Sequence, residues 1–321
     1  MGELALIERI AARARPRPGT PLGIGDDAAL VDVGGRAVLT HDLLVEDVHF
    51  RRPTTGWEDL GHKALAVNLS DLAAMAAEPV AALVGLVLPP DAGPEEVDRL
   101  YAGMEALAAA HGVTIAGGDL SAGPAAIVAV TAVGRPAEGV EPLRRSGGRP
   151  GDVLCVTGAL GAAAAGLLVL DEPELGAGVA GIEELRDALL RPAPRIAAGL
   201  ALGRGGARAL MDLSDGLALD AWRMGRACGL RAVIDLEAVP VAPGAAAVAR
   251  AAGRDPAVLA ATGGDDYELL AAVPPEAIAG LRAALAPLPL TPVGRLEEGE
   301  PGAVVLRDGA PVTLRRLGWE H

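Results

Sequence analysis

Apolar positions recur along this chain with two different periods. From Trp57 to Ala77 and from Pro94 to His111 they return every three or four residues, which predicts helices. Pro94 suits a first helical position and Gly112 a stop. Val80–Leu88 alternates and Ala126–Gly134 is rich in β-branched residues and alanine, which predicts strands. An amphipathic helix is expected over 3–14, a Gly/Asp loop over 23–28, and a strand over 36–40 that ends by delivering Asp42. The helix from Trp57 is expected to break near Asn68–Asp71, and a short strand at 113–116 to lead into Gly117-Gly118-Asp119. In the second half, strands near 152–157, 208–211, 230–236, 267–273 and 291–297 are interspersed with helices. Those helices fall near 182–190, 193–203, 243–252, 256–262 and 275–285, with another starting near Gly216, while 170–181 reads as loose and acidic. The Pro-, Gly- and Arg-rich stretch 135–151 reads as a hinge. This pattern predicts a mixed α/β (α+β) architecture in two domains, 1–140 and 141–321.

Composition narrows the chemistry. Apolar residues make up 51% of the 321 positions but aromatics only 2%, so the core must be built from Ala, Val and Leu. Lys+Arg 28 against Asp+Glu 42 gives a net charge of −14, which argues against a nucleic-acid partner. A small phosphorylated ligand stays open, because bound Mg²⁺ can reverse the local sign. Lys63 is the one lysine, and it stands in no P-loop frame. Protein-kinase signatures are absent too. Nucleotide chemistry here must rest on metal and arginine. Cys155 and Cys228 sit in apolar surroundings with no CxxC pair, as small core residues of a reducing compartment would. The N-terminal stretch carries Glu3, Glu8 and Arg9 and does not read as a signal peptide, and no stretch is long enough for a membrane span. A soluble, cytoplasmic protein is expected.

Six short motifs carry acids beside Gly, Ser or Asn, or at the end of apolar runs. They are GIGDDAAL (Asp26, Asp27), THDLLVEDVHF (Asp42, Asp47), NLSDLAAM (Asp71), AGGDLS (Asp119), MDLSDGLALD (Asp212, Asp215) and GGDDYEL (Asp265, Asp266). Each alone could be a turn or a helix cap. As a set converging on one cleft they would repel one another unless cations sat between them, and hard oxygen ligands select Mg²⁺, which arrives with phosphates. Arg144-Arg145-Ser146-Gly147 offers a cationic loop suited to phosphate, or a solvated linker. His49 stands beside Asp47, and Trp319 either anchors the C-terminal end or stacks on a flat ring. Tyr101, inside a helix, reads as core. The motifs NLSD/DLSD and GGD/GGD recur at similar separation, as a distant duplication would give, or chance in a chain with 43 glycines.

In that order the motifs, together with RSG-x-x-PGD and the terminal GW, make the chain resemble the thiamine-monophosphate kinase family of the aminoimidazole-ribonucleotide-synthetase-like ATP-binding superfamily. The resemblance runs nearly end to end. It implies a two-domain fold whose N-terminal domain forms a shared β-barrel in a homodimer, beside a C-terminal α/β domain. It implies ATP as co-substrate, thiamine monophosphate as acceptor and several Mg²⁺ ions. It implies metal ligands at Asp27, Thr40, His41, Asp42, Asp71, Asp119, Asp212 and Asp215. ATP contacts are implied at Tyr101, Gly118, Asp119, Arg145 and Ser214, and substrate contacts at His49, Asp265 and Trp319. His41 departs from the family's small hydroxyl residue, and Asp265 from its frequent Glu. No covalent nucleophile or general base is expected. The alternatives are another ATP-dependent enzyme of the superfamily, such as aminoimidazole-ribonucleotide synthetase, or a non-catalytic divalent-cation-binding protein. A selenophosphate synthetase would need a reactive Cys in residues 1–30, and a hydrogenase-maturation relative a C-terminal Cys; neither is present.

Overall fold

The computed structural model describes residues 9–14, 17–20 and 31–319, so the Asp26-Asp27 motif and most of the first expected helix lie outside the described residues. Residues 9–13 are helical. The chain divides into two units: the described residues up to Leu72 with Ala77–Pro136, and Ala73–Ala76 with 137 onward.

Among the described residues, the first unit has a four-stranded sheet with two long helices besides the helical stretch 9–13. Its elements are β1 (Val38–Val45), α1 (Trp57–Ala74), β2 (Ala77–Leu88), α2 (Pro94–His111), β3 (Thr114–Ala122) and β4 (Ile127–Pro136). The strand order is β1-β4-β2-β3, with β2 and β3 parallel and the other pairs antiparallel. Alternation sorts the two faces. Val128, Val130 and Ala132 of β4 and Val84 and Leu86 of β2 are buried. Leu39 and Leu43 of β1 and Leu83 of β2 point the other way and are 66%, 45% and 42% exposed.

Three elements differ from the expected pattern. β1 continues through Asp42 to Val45, because the apolar alternation persists beyond the acid. β3 runs through Gly117-Gly118-Asp119 to Ala122 rather than stopping at Ala116. A Cβ at Gly118 would lie 1.9 Å from the carbonyl oxygen of Val84, so only glycine lets these strands pair there. α1 does not break at Asn68–Asp71. Asn68, fully buried, donates to the Ala64 carbonyl at 3.0 Å and accepts the Asp42 backbone N–H at 3.2 Å. Its amide is satisfied without leaving the helix, and it ties α1 to β1 at the acid.

The second unit is a seven-stranded mixed sheet of order β11-β10-β7-β9-β5-β8-β6. These strands are β5 (Val153–Thr157), β6 (Ala209–Asp212), β7 (Arg231–Asp235), β8 (Leu269–Val273), β9 (Leu290–Glu297), β10 (Gly302–Arg307) and β11 (Ala310–Val312). The helices are α3 (Ala162–Asp171), α4 (Ile182–Leu190), α5 (Ile196–Arg204), α6 (Leu217–Cys228), α7 (Ala245–Ala251), α8 (Pro256–Thr262) and α9 (Ile278–Leu285). One core joins strand residues such as Leu154, Val156 and Leu270 to Leu217, Ala221 and Met224 of α6. A smaller one packs α3, α4 and α7 around Val169, Leu185 and Val248. Strands β10 and β11 were not expected, since Gly302–Val312 is short, charged and broken by Asp308-Gly309. The tetrapeptides NLSD and DLSD sit in unlike settings, one inside α1 and one running from the end of β6 toward α6.

Replacing Asn68 by Leu leaves the Asp42 N–H unpaired. Asn68→Leu should lose about 2 kcal/mol of unfolding free energy in urea titration.

Candidate active site

In the first unit, β1 presents Thr40, Asp42 and Leu44 on the face toward α1. The Thr40 hydroxyl donates to the Asp71 carboxylate, and Asp42 and Asp71 lie close enough to share a proton. Burial, then repulsion from Asp71, then a hydrogen bond between the two carboxyls push Asp42 up to about 7. Two acids held this close suit a divalent cation, whose charge would replace the shared proton. Among the described residues no three His, Cys, Asp or Glu side chains by themselves form a metal cage. Other expected residues fall elsewhere. His41 lies on the opposite, exposed face of β1, its Nδ1 2.8 Å from the Thr131 hydroxyl, so it does not share the Asp42–Asp71 cluster. Asp42 is in register with Val130, Val84 and Gly118, whereas Asp119 is exposed and pairs with Gly85, one position along. Tyr101 is buried in α2, as a core residue, and that burial raises its hydroxyl pKa.

The loop after β1 is tightly tied. His49 Nδ1 accepts the Val45 N–H at 3.0 Å, so a neutral ring carries its proton on Nε2. Asp47 adopts a left-handed φ of 64°, and its N–H reaches the Phe50 carbonyl at 2.8 Å. Glu46, not singled out in the sequence, anchors this loop. It accepts the Ala126 N–H at 2.7 Å and pairs with Arg52 at 2.5 Å, and the backbone hydrogen bond above all lowers its pKa.

In the second unit three motifs meet through backbone hydrogen bonds. Buried Asp212 ends β6, where Leu213 N donates to the Glu268 carbonyl at 2.8 Å. Asp265 N donates to Ser214 O at 2.7 Å, Tyr267 N to Leu213 O at 2.9 Å, and Trp319 N to Asp215 O at 2.9 Å. Asp212, Ser214, Asp215, Asp265 and Trp319 thus occupy one neighbourhood, with the Trp319 residue 51% exposed. The close approach excludes any side chain at Gly264, whose Cβ would stand 2.7 Å from Ser214 O. Asp265 and Tyr267 both take left-handed φ values, 67° and 49°, strain of the kind stored at functional sites. The Tyr267 hydroxyl donates to Asp265 Oδ1 at 3.1 Å and fixes its direction. Neighbouring Asp266 turns away: it accepts the Gly161 N–H at 2.7 Å and the Ala163 N–H at 3.4 Å, capping α3. Glu268 points inward to Thr157 at 2.6 Å and to Arg195 Nε at 2.9 Å.

Two further residues, Asp220 and Arg223, escaped the sequence reading. Asp220, its side chain fully buried, accepts the N–H groups of Asp215 and Gly216, each at 3.1 Å, and pairs with Arg223 at 2.7 Å. Burial outweighs the arginine and raises its carboxyl to about 6. The signal was its place in DGLALD, inside the first turn of a helix, where an acid reaches back to free N–H groups. Arg145 is exposed, and its carbonyl accepts the Cys228 thiol at 3.3 Å. Cys155, by contrast, is fully buried.

Comparison with known proteins adds to this geometry. Residues 25–135 match the family model for the AIR synthase related protein N-terminal domain, and residues 149–307 match that for its C-terminal domain. Thiamine-monophosphate kinase of Mycobacterium tuberculosis is 38% identical over 325 residues, covering 100% of this chain and 91% of the relative. The crystal structure of thiamine-monophosphate kinase from Stenotrophomonas maltophilia is 40% identical, with a TM-score of 0.82 and coverage of 97% of this chain and 98% of that one. A ThiL protein solved in complex with AMPPCP and TMP is 33% identical, with a TM-score of 0.78 and coverage of 100% and 97%.

The raised carboxyl of Asp42 sets a sign for stability. Its folded pKa of about 7 exceeds the unfolded value near ~4, so its contribution is full below that lower value and is lost as pH rises through about 7. In chelator at pH 8, Asp42→Asn should therefore unfold with roughly 2 kcal/mol more stability than wild type, and the gap should close at pH 4. Mg²⁺ should stabilise wild type more than the variant. A variant less stable at pH 8 contradicts the assignment.

Proposed function

This chain belongs to the AIR synthase related protein family, and we propose that it is a thiamine-monophosphate kinase, making ADP and thiamine diphosphate from ATP and thiamine monophosphate. End-to-end likeness to enzymes of that name carries the reading. The close pair of acids in the first unit and the Asp212–Asp215–Asp265 neighbourhood in the second support it. Aminoimidazole-ribonucleotide synthetase is not favoured, because the full-length relatives bear the kinase name.

The acceptor is a phosphate monoester, whose second pKa near ~6 leaves it largely dianionic at neutral pH. It needs no general base and no covalent intermediate. The obstacle is bringing two polyanions into line. Mg²⁺, when bound, neutralises phosphate charge and aligns donor with acceptor. Asp42 and Asp71, with Thr40 holding the latter, supply ligands in the first unit, and Asp212 and Asp215 in the second. Asp27 and Asp119 complete the proposed set by resemblance; His41, facing away, is left out of it. Ser214, Arg145 and Gly118 are assigned to ATP, whereas Tyr101, buried in the core of α2, is left out of that set. His49, with an Nε2–H donor, Asp265 and Trp319 are assigned to thiamine monophosphate, the indole suiting a flat heterocycle.

We further propose that the chain works as a homodimer. Leu39, Leu43 and Leu83 form an exposed apolar face on the first unit's sheet, beside half-buried Ala129 and Val133, and a second copy would cover it.

Two measurements test these readings. With ATP, Mg²⁺ and thiamine monophosphate, wild type should release ADP, and Asp42→Asn should cut turnover at least ~100-fold with unchanged circular dichroism. Near-wild-type turnover would remove Asp42 from the metal set, and no ADP from wild type would overturn the kinase assignment. Leu43→Glu should convert a dimer to a monomer in light scattering; an unchanged mass contradicts the face.

A further inference from the structure

Asp215 already has a cation beside it in this chain. Arg223, two turns along α6, places one guanidinium nitrogen, Nη1, against both the Asp215 Oδ2 and the Asp220 Oδ1. The two pairs differ in character. Asp220 is fully buried and also holds the N–H groups of Asp215 and Gly216, so its pair with Arg223 is part of the loop's framework. Asp215 is 21% exposed and Arg223 32%, so theirs is the solvent-facing pair. A guanidinium that leaves Asp215 keeps its partner in Asp220 and is not stranded. It is thus fixed at one end and releasable at the other.

We propose that Arg223 is a resident counter-ion: it neutralises Asp215 in the metal-free protein, yields that carboxylate to an incoming divalent cation, and thereby sets the metal affinity of the second unit's acids. This deepens the kinase reading and rests on Asp215 being a metal ligand. The physical reason is competition. An acid already paired has less to gain from a cation than a bare one, so the arginine weakens binding by the strength of the contact it surrenders. It also relieves the repulsion between Asp215 and Asp220, which would otherwise cost stability while no metal is bound. Arg223 is a positioning residue, since it acts on the reaction through Asp215.

Mn²⁺ binding to the nucleotide-free, full-length protein, read from the electron paramagnetic resonance of free Mn²⁺, tests this without any assay of turnover. Arg223→Met should bind Mn²⁺ roughly three- to tenfold more tightly than wild type and melt at a lower temperature in chelator. Arg223→Lys, whose shorter reach loosens the contact with Asp215 but keeps the charge, should bind more tightly than wild type by a smaller factor. Unchanged or weaker binding by folded Arg223→Met overturns the proposal; if that variant does not fold, the same result with Arg223→Lys does so. Asp215→Asn separates the two layers. Wild-type Mn²⁺ binding by that variant removes Asp215 from the metal set and takes this proposal with it. Weakened binding by Asp215→Asn with no change in the arginine variants overturns the counter-ion alone. ADP release by wild type decides the kinase reading independently.

Discussion

Like charges held close together out of bulk water are the constraint on which this structure turns. Folding brings Asp42 against Asp71 and Asp215 near Asp220, and each approach carries a penalty that burial enlarges. The chain meets the two penalties differently. In the first unit burial and the neighbouring Asp71 push the Asp42 carboxyl up to about 7, so it can stand neutral beside Asp71, which the Thr40 hydroxyl steadies. In the second an arginine stands between them. Both solutions are reversible, since a proton can leave and a partly exposed ion pair can open. That reversibility suits the metal role proposed for these acids, and it sets them apart from pairs such as Arg208 with fully buried Asp152.

The local frame around these acids is rigid for reasons of backbone chemistry. Asn68 links α1 to β1 at Asp42, so the acid's position follows from a buried amide. The link between β6 and α6 is held by the segment before β8 and by the C-terminal stretch through four main-chain bonds. Left-handed φ at Asp47, Asp265 and Tyr267 shows where the chain accepts strain to aim a side chain. None of this ordering calls for a large aromatic core; small aliphatic side chains let strands and helices approach closely enough for glycine to become obligatory.

Much of this was legible in the sequence, because periodicity survives any tertiary context and the acidic motifs stand at the ends of apolar runs. α2 starts at Pro94 and ends at His111 as its punctuation requires. The errors share a cause. Asn68–Asp71 looked like a helix break because Asn, Ser and Asp compete locally for backbone bonds, yet here Asn68 finds partners on β1 and within α1. Asp42 looked like a strand end because an acid normally is one, yet β1 runs on past it. In GGDDYEL the sequence cannot tell the two acids apart; only the fold shows Asp266 capping α3 while Asp265 is held beside Ser214. Arg223 was invisible because its meaning lies in two partners, three and eight positions away.

If the acids of the first unit hold a divalent cation as proposed, its binding expels the proton that the raised Asp42 carboxyl carries near neutral pH. Calorimetric titration of Mg²⁺ into the protein at pH 6.5, repeated in buffers of different ionisation enthalpy, counts the protons released. Wild type should release a substantial fraction of a proton, approaching one for the cation bound at Asp42, and Asp42→Asn should lose that release. Metal binding with no proton release, or with the same release in both proteins, would contradict that proposal.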